Sequence, residues 1–245
     1  MLTLIDGLIR PLFLLENCWK IHVTLTRDFS LMINNVCLKQ ERYIKYLGVF
    51  KDSNLSWKPQ VEYISKKLKK SLGILSKIRY YLDVTILISL YYALIHPFLI
   101  YGIIAWGNTY STTLLPIVTL QKKALRLMTF SKFDEHSSPL FKKLNIIKLN
   151  DLVSYHIALF MYRFKNRLLP LVFDTFFPEV SEIHQYNTRS AAKQSYYLPR
   201  VRTNYGKFNI RFRAPMIWNS IEEQIKTASL SKFKLILKEQ YLALY

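Results

Sequence analysis

Chemistry on phosphodiesters needs carboxylates clustered closely enough to hold divalent metal, and the acids of this 245-residue chain are dispersed. Asp6, Asp28, Asp52, Asp83, Asp151 and Asp174 stand far apart, and no two aspartates are adjacent. Asp134-Glu135 precedes His136, a trio with metal-ligand identity but without ligand spacing, which reads as a polar turn. His22, His96, His136, His156 and His184 pair with neither Cys18 nor Cys37 at zinc-site intervals. The two cysteines form no Cys-x-x-Cys motif and read as reduced thiols of an intracellular protein, nuclear or cytoplasmic. Glycine-rich phosphate loops, nucleophile elbows and dinucleotide fingerprints are missing from the sequence. The expectation is a chain with no catalytic residues, no metal site and no cofactor of its own.

What the sequence does concentrate is positive charge mixed with aromatic rings. There are 35 Lys plus Arg against 16 Asp plus Glu, a net +19, which favours a polyanionic partner: RNA or DNA first, an anionic membrane second. Lysines and arginines bind phosphates by releasing counterions, and exposed rings stack on unpaired bases. One basic tract comprises Lys66, Lys67, Lys69, Lys70 and Lys77. Lys122, Lys123 and Arg126 follow on a later helical segment, and Arg189, Arg200, Arg202 and Arg211 sit in a tyrosine-rich stretch near the end. A solvated helix face and a basic loop would look the same singly, but two separate tracts in one chain tilt the reading toward non-specific nucleic-acid binding.

The elements that must carry these residues are mainly helical. Half of the residues are hydrophobic and only six are glycine, so a packed core is expected and disorder is not. Leu31–Leu38 and Tyr43–Phe50, separated by Lys39–Arg42, read as the two strands of a small β-hairpin. A long helix follows, with Ser56 or Asn54 as candidate cap and Pro59 in the first turn. Val61, Ile64, Leu68, Leu72, Leu75, Ile78 and Leu82 fall on one face of it; the lysines take the other, and Arg79 lies at the edge of the stripe. Val84–Ile95 reads as a buried helix broken at Pro97. Pro116–Phe130 reads as a helix with Leu120, Ala124, Leu127 and Met128 inward and Gln121, Lys122, Lys123 and Arg126 outward. Leu140–Leu144, Asp151–Arg167 (capped by Asn150) and a terminal helix capped by Ser229 or Ser231 complete the set. Ile183–Arg213 is basic, tyrosine-rich and without strong period.

Two membrane questions arise. The apolar run Leu2–Leu15 is interrupted by Asp6, Arg10 and Pro11, so a signal peptide is not expected. Val84–Gln121 contains no Asp, Glu, Lys or Arg, and its first part, 84–106, is long enough to span a bilayer, which takes about 20 apolar residues. Pro97, His96 and Ser89 favour a buried core segment instead, and an integral membrane protein anchored by 84–106 is the alternative.

In order along the chain, Tyr46-Leu47-Gly48-Val49, Asp52 and Leu55-Ser56-Trp57 resemble the segment that follows the catalytic palm of non-LTR, jockey-like (LINE-type) retrotransposon reverse transcriptases. The resemblance continues through Gly73-Ile74-Leu75 with Lys77 and Arg79, Leu90-Tyr91, Leu94-Ile95-His96-Pro97, Tyr101-Gly102, Trp106-Gly107 and Leu120-Gln121-Lys122-Lys123-Ala124. Pro139-Leu140-Phe141, Asp151-Leu152, Phe160-Met161-Tyr162, His184, Tyr186, Thr188-Arg189, Trp218-Asn219 and Phe233-Lys234 extend it to the end of the chain.

That resemblance implies a primer-grip-like hairpin bearing Tyr46, Leu47 and Gly48, then a helical thumb-like bundle and an irregular basic C-terminal region. It implies a layout of 1–30 as an unassigned lead, 31–57 as the hairpin at the palm–thumb junction, 58–131 as the thumb, 132–177 as a helical extension and 178–245 as the basic region with the terminal helix. The related enzymes use magnesium on palm aspartates, which would lie before residue 30, so the chain is expected to bind template or primer without polymerising, with the palm as its partner. A remnant of a mobile element with no function is the remaining alternative. Arg213-Ala214-Pro215 stands where relatives have Gly-Pro, so that turn is expected to differ.

Overall fold

The computed structural model describes residues 31–33, 36–38, 41–183, 186, 193 and 195–245; the lead 1–30 and the expected binding residue Arg189 lie outside them. The architecture is mainly helical with a small β element at the N-terminal side of the described chain, as the composition and periodicity lead one to expect. The strand pairing is more local than expected. β1 (Leu31–Ile33) pairs antiparallel with β2 (Val36–Leu38), and β3 (Tyr43–Tyr46) pairs with β4 (Val49–Asp52) in the register Tyr43↔Asp52 and Tyr46↔Val49. Each run folds back on itself instead of pairing with the other. The reason in the second run is Leu47-Gly48, whose φ values of 44° and 82° form the two-residue left-handed turn that matches the twist of a hairpin.

Helix α1 (Lys58–Ile78) buries Val61, Ile64, Leu68, Leu72 and Leu75 of the expected stripe and packs against α5 (Ser111–Thr129); Ile78 is half-buried, and Leu82 falls beyond the helix end. At its start Ser56 Oγ accepts the Lys58 N–H at 3.4 Å, while the N-cap position itself is Trp57 and no side chain of that residue caps it. Trp57 takes a left-handed conformation at the N-cap, and the carboxylate of Asp52 accepts the N–H groups of Ser56 and Trp57 just ahead of the helix.

The uncharged run after it forms three short helices, α2 (Val84–Leu94), α3 (His96–Ile100) and α4 (Ile103–Trp106). Pro97 lacks the N–H that would continue the helix, and Gly102 at φ 63° turns the chain again. Ser71 Oγ of α1 donates to the Leu94 carbonyl at the first break, at 2.8 Å. The longest of the three, eleven residues, rises about 17 Å against the ~30 Å of a bilayer core. Among the described residues no helix is long and apolar enough to cross a membrane, which removes the anchor at 84–106. Nor is α2 buried all round: Leu87 and Tyr91 face the core, while Val84, Ile86 and Tyr92 are exposed.

Helix α5 starts at Ser111, ahead of the expected Pro116, which the helix accommodates early in its length. Gln121 is not outward. It is 1% exposed, its Nε2 donates to Tyr91 Oη at 3.0 Å and to the Ile147 carbonyl at 2.9 Å, and its Oε1 accepts the Leu149 N–H at 2.9 Å. All the hydrogen-bonding groups it meets belong to elements remote in sequence, so one carboxamide joins α2, α5 and the start of α7 (Leu149–Lys165).

Among the described residues the remaining α-helices are α6 (Ser138–Lys143), α8 (Val180–Ile183), α9 (Asn204–Phe208), α10 (Ile210–Asn219), α11 (Glu223–Lys226) and α12 (Leu230–Ala243). The basic region is thus helical from Asn204 onward, with Pro215 inside α10 and no turn at Arg213–Pro215. Helix α7 forms the floor on which α10 and α12 pack; Tyr162, Trp218 and Phe233 meet there, with the Tyr162 and Phe233 ring centres 4.6 Å apart. Tyr245 Oη donates to Asp151 Oδ2 at 2.6 Å and accepts the Lys148 N–H at 2.9 Å, fastening the last residue to the head of α7. The caps of α7 and α12 are Lys148 and Ser229, and neither uses a side chain, so the role expected for Asn150 is not taken up.

Helices α4 and α7 touch at Gly107. A Cβ there would stand 2.5 Å from the Ile103 carbonyl oxygen and 2.6 Å from Val153 Cγ2, which only glycine avoids. Gly107→Ala is expected to lower stability by about 1–3 kcal/mol, read from urea unfolding. Gln121→Leu leaves the Leu149 N–H and the Ile147 carbonyl without a partner and is expected to cost ~2–4 kcal/mol in the same measurement. Unchanged midpoints would show that these contacts do not hold the helices.

Candidate nucleic-acid interface

Helix α1 is the element that separates apolar from charged residues most completely. With its stripe in the core, Lys66, Lys69, Lys70 and Lys77 project from the opposite face and are exposed. Their spacing of three, four and seven residues places them on one strip of the helix. Gly73 lies in the middle of that strip, exposed, with nothing within 4 Å of where a Cβ would stand. The helix backbone is therefore bare between the lysines. Among the described residues none of the four meets an acidic side chain at ion-pair distance. Lys67 is turned away and half-buried, its Nζ 5.6 Å from the centre of the Tyr63 ring, where Lys45 Nζ also sits at 5.9 Å.

The second helix of the pair carries Lys122, Lys123 and Arg126. Lys123 is exposed and Lys122 half-buried. Arg126 is held: its Nε and Nη2 donate to the Glu135 carbonyl at 3.2 and 2.8 Å. The C-terminal ends of α1 and α5 lie side by side. Arg79 Nη1 reaches the Leu127 carbonyl at 3.5 Å, and its guanidinium lies 4.7 Å from the Tyr80 ring and 4.9 Å from the Phe130 ring. Cations at this end complement the exposed carbonyls of both helix termini.

The C-terminal basic residues occupy another place. Tyr110, just before α5, packs edge-on against Tyr205 and Phe208 of α9, so that tract adjoins the opposite end of α5. Nineteen residues of helix, about 28 Å, separate the two ends. Arg200 and Arg202 are exposed on the extended segment before α9, and the Arg211 guanidinium lies 4.7 Å from the Phe176 ring. Neither α9 nor α10 packs extensively against α1.

The hairpin bearing Tyr46, Leu47 and Gly48 is joined to α1 by two polar groups that sequence spacing did not single out. Asp52 Oδ2 and Oδ1 accept the N–H groups of Ser56 and Trp57, each at 2.9 Å, and Gln60 Oε1 accepts the Phe50 N–H at 2.9 Å. Tyr101 Oη donates to the Leu47 carbonyl, and its ring stands against Gly48. Tyr43, Ile44 and Tyr46 of β3 remain exposed. Burial of Asp52 acts to raise its pKa, but the hydrogen bonds from Ser56 and Trp57 outweigh it and hold the carboxyl below 3.8.

A further group of titratable side chains lies between α3, α7 and α12. Burial and the nearby charges of His96, Arg163 and Lys234 press His156 down to about 4, so it is neutral at pH 7. Among the described residues no group of three or more His, Cys, Asp or Glu side chains is placed to hold a metal ion. Asp134, Glu135 and His136 are all exposed. No protein-family model, no curated protein and no solved structure matches this chain.

Asp52→Ala removes both acceptors from the α1 entry and is expected to cost about 1–3 kcal/mol at pH 7. Because the folded pKa lies below the unfolded one, this contribution is complete above pH ~4 and is lost as the pH falls through the lowered value. Urea midpoints of the parent and the variant, measured between pH 7 and pH 2.5, should therefore converge in acid. A constant difference across that range would assign the loss to packing instead.

Proposed function

We propose that this chain grips a nucleic-acid strand non-specifically through the lysine strip of α1, as the post-palm segment of a non-LTR reverse transcriptase would. The observation that carries the reading is the face of Lys66, Lys69, Lys70 and Lys77, exposed and without acidic partners among the described residues, on a helix whose other face is locked in the core. Four like charges on one strip repel one another, and a phosphate backbone relieves that repulsion while releasing counterions. Gly73 leaves room for the backbone to come close. The ordered sequence motifs support the family reading, and the hairpin fastened to α1 by Asp52 and Gln60 is compatible with a primer-grip-like role for Tyr46, Leu47 and Gly48. Arg200, Arg202 and Arg211 would form a separate contact.

In this reading the chain contributes binding, and nucleotide addition depends on palm carboxylates and magnesium from outside the described residues. Isolated, it is expected to extend no primer.

Fluorescence anisotropy with a labelled oligonucleotide at low salt tests the binding. The combined variant Lys66→Ala, Lys69→Ala, Lys70→Ala should bind at least tenfold more weakly, with the slope of log K against log salt reduced by roughly 0.7–0.9 for each phosphate that is no longer neutralised. Replacing Lys142 and Lys143 on α6, also exposed, should change affinity much less. An equal drop in the two variants would reduce the effect to net charge, and no affinity in the parent chain would end the proposal.

A further inference from the structure

At the joint C-terminal end of α1 and α5 the surface changes from lysines to rings. Tyr80, Tyr81 and Phe133 are 68%, 85% and 86% exposed, and Phe130 is also exposed. Large aromatic side chains are seldom so open to water without a partner. Two of them are already arranged: Tyr80 and Phe130 stand 5.7 Å apart with the Arg79 guanidinium against both, and Arg79 Nε is buried there with no hydrogen-bond partner. Arg126, one helical turn before Phe130, lies 6.0 Å from the centre of the Phe133 ring. Tyr80, Phe130 and Phe133 thus lie against guanidinium groups, with Tyr81 exposed next to them in the chain, which draws a polarisable, electron-rich occupant to the patch.

Resting on the nucleic-acid reading above, we propose that this end of the α1–α5 pair is a stacking platform for unpaired bases of a single strand. The lysine strip leads toward it, with Lys77 the last of the four before Arg79. Its chemistry differs from that of the strip. Asp83, Asp134 and Glu135 border the rings in sequence, so this end is less positive than the strip, and neutral bases stack on rings without needing a surplus of cations. A duplex hides its base faces and gains nothing here; a single strand offers them. The platform therefore adds strand-type preference to a strip that reads only charge.

Tyr81 and Phe133 are nearly fully exposed, so replacing them should leave the fold intact. The full chain and the variant Tyr81→Ala, Phe133→Ala are compared by anisotropy on a 20-nucleotide single strand, on its duplex and on a strand of equal length carrying abasic sites. The variant is expected to bind the intact single strand roughly 5–100-fold more weakly, in line with the loss of one or two stacked bases. It should bind the duplex and the abasic strand as the parent does, with an unchanged salt slope, and Tyr81→Phe, Phe133→Tyr should restore single-strand affinity. Equal losses on all three ligands, no loss on the single strand, or concentration-dependent self-association abolished by the variant would overturn the platform. If the parent binds every oligonucleotide in a manner weakened by the Lys66, Lys69, Lys70 changes yet indifferent to these rings, the platform fails and the charged strip stands; if the parent binds none, both fail.

Discussion

The arrangement of helices turns on one buried carboxamide. Gln121 donates to Tyr91 and to the Ile147 carbonyl and accepts from the Leu149 N–H, so its donors and acceptor are used inside the core. Leaving any of those groups unpaired in an apolar interior is costly, and a shift of α5 along α2 or α7 would unpair all of them together. Apolar contacts between these helices tolerate sliding; the carboxamide does not. It thereby fixes α5, and α5 in turn fixes the face that α1 buries and the face it leaves to water.

With that face chosen, the charge distribution follows. The core takes Val61, Ile64, Leu68, Leu72 and Leu75 of α1, and the exposed lysines are left outside, none of them in an ion pair among the described residues. A net charge of +19 opposes compaction through self-repulsion, and the apolar contacts of α1, α5 and α7 must exceed it. Binding to a polyanion removes the repulsion without any change of fold. The same helix is therefore a structural element on one side and a phosphate-binding surface on the other.

Much of this was legible in the residues because it depends on local period. The alternation of apolar and lysine positions from Val61 to Leu75 specifies α1 and its two faces without reference to the rest of the chain. The expected continuation to Leu82 overshoots, because the helix ends at Ile78, tightens into one 3-10 turn at Arg79–Tyr81 and is extended at Leu82. Pro97 likewise announces the break that shortens the uncharged run. What could not be read depends on partners distant in sequence. Gln121 stands beside Lys122 and Lys123 and looks solvent-facing; only the position of Ile147 and Leu149 makes it internal. Asp52 lies on a strand, yet its carboxylate holds the N–H groups of Ser56 and Trp57, the two residues that lead into the helix beginning at Lys58. The self-pairing of Tyr43–Asp52 hinges on a left-handed Leu47, a conformation leucine does not advertise. The rings at the end of the helix pair carried a signal, Arg79-Tyr80-Tyr81 and Phe130 to Phe133, but their exposure emerges only once α1 and α5 are seen to end together.

If the unpaired lysine face of α1 is where a nucleic-acid strand lies, that strand must shield its amines from solvent. Lysine-selective acetylation followed by mass spectrometry, with and without a saturating oligonucleotide at low salt, reads that face residue by residue. Lys66, Lys69, Lys70 and Lys77 are expected to become protected together, while exposed Lys142 and Lys143 on α6 keep their reactivity. Uniform protection across the surface, or reactivity on α1 that the strand leaves unaltered, would contradict it.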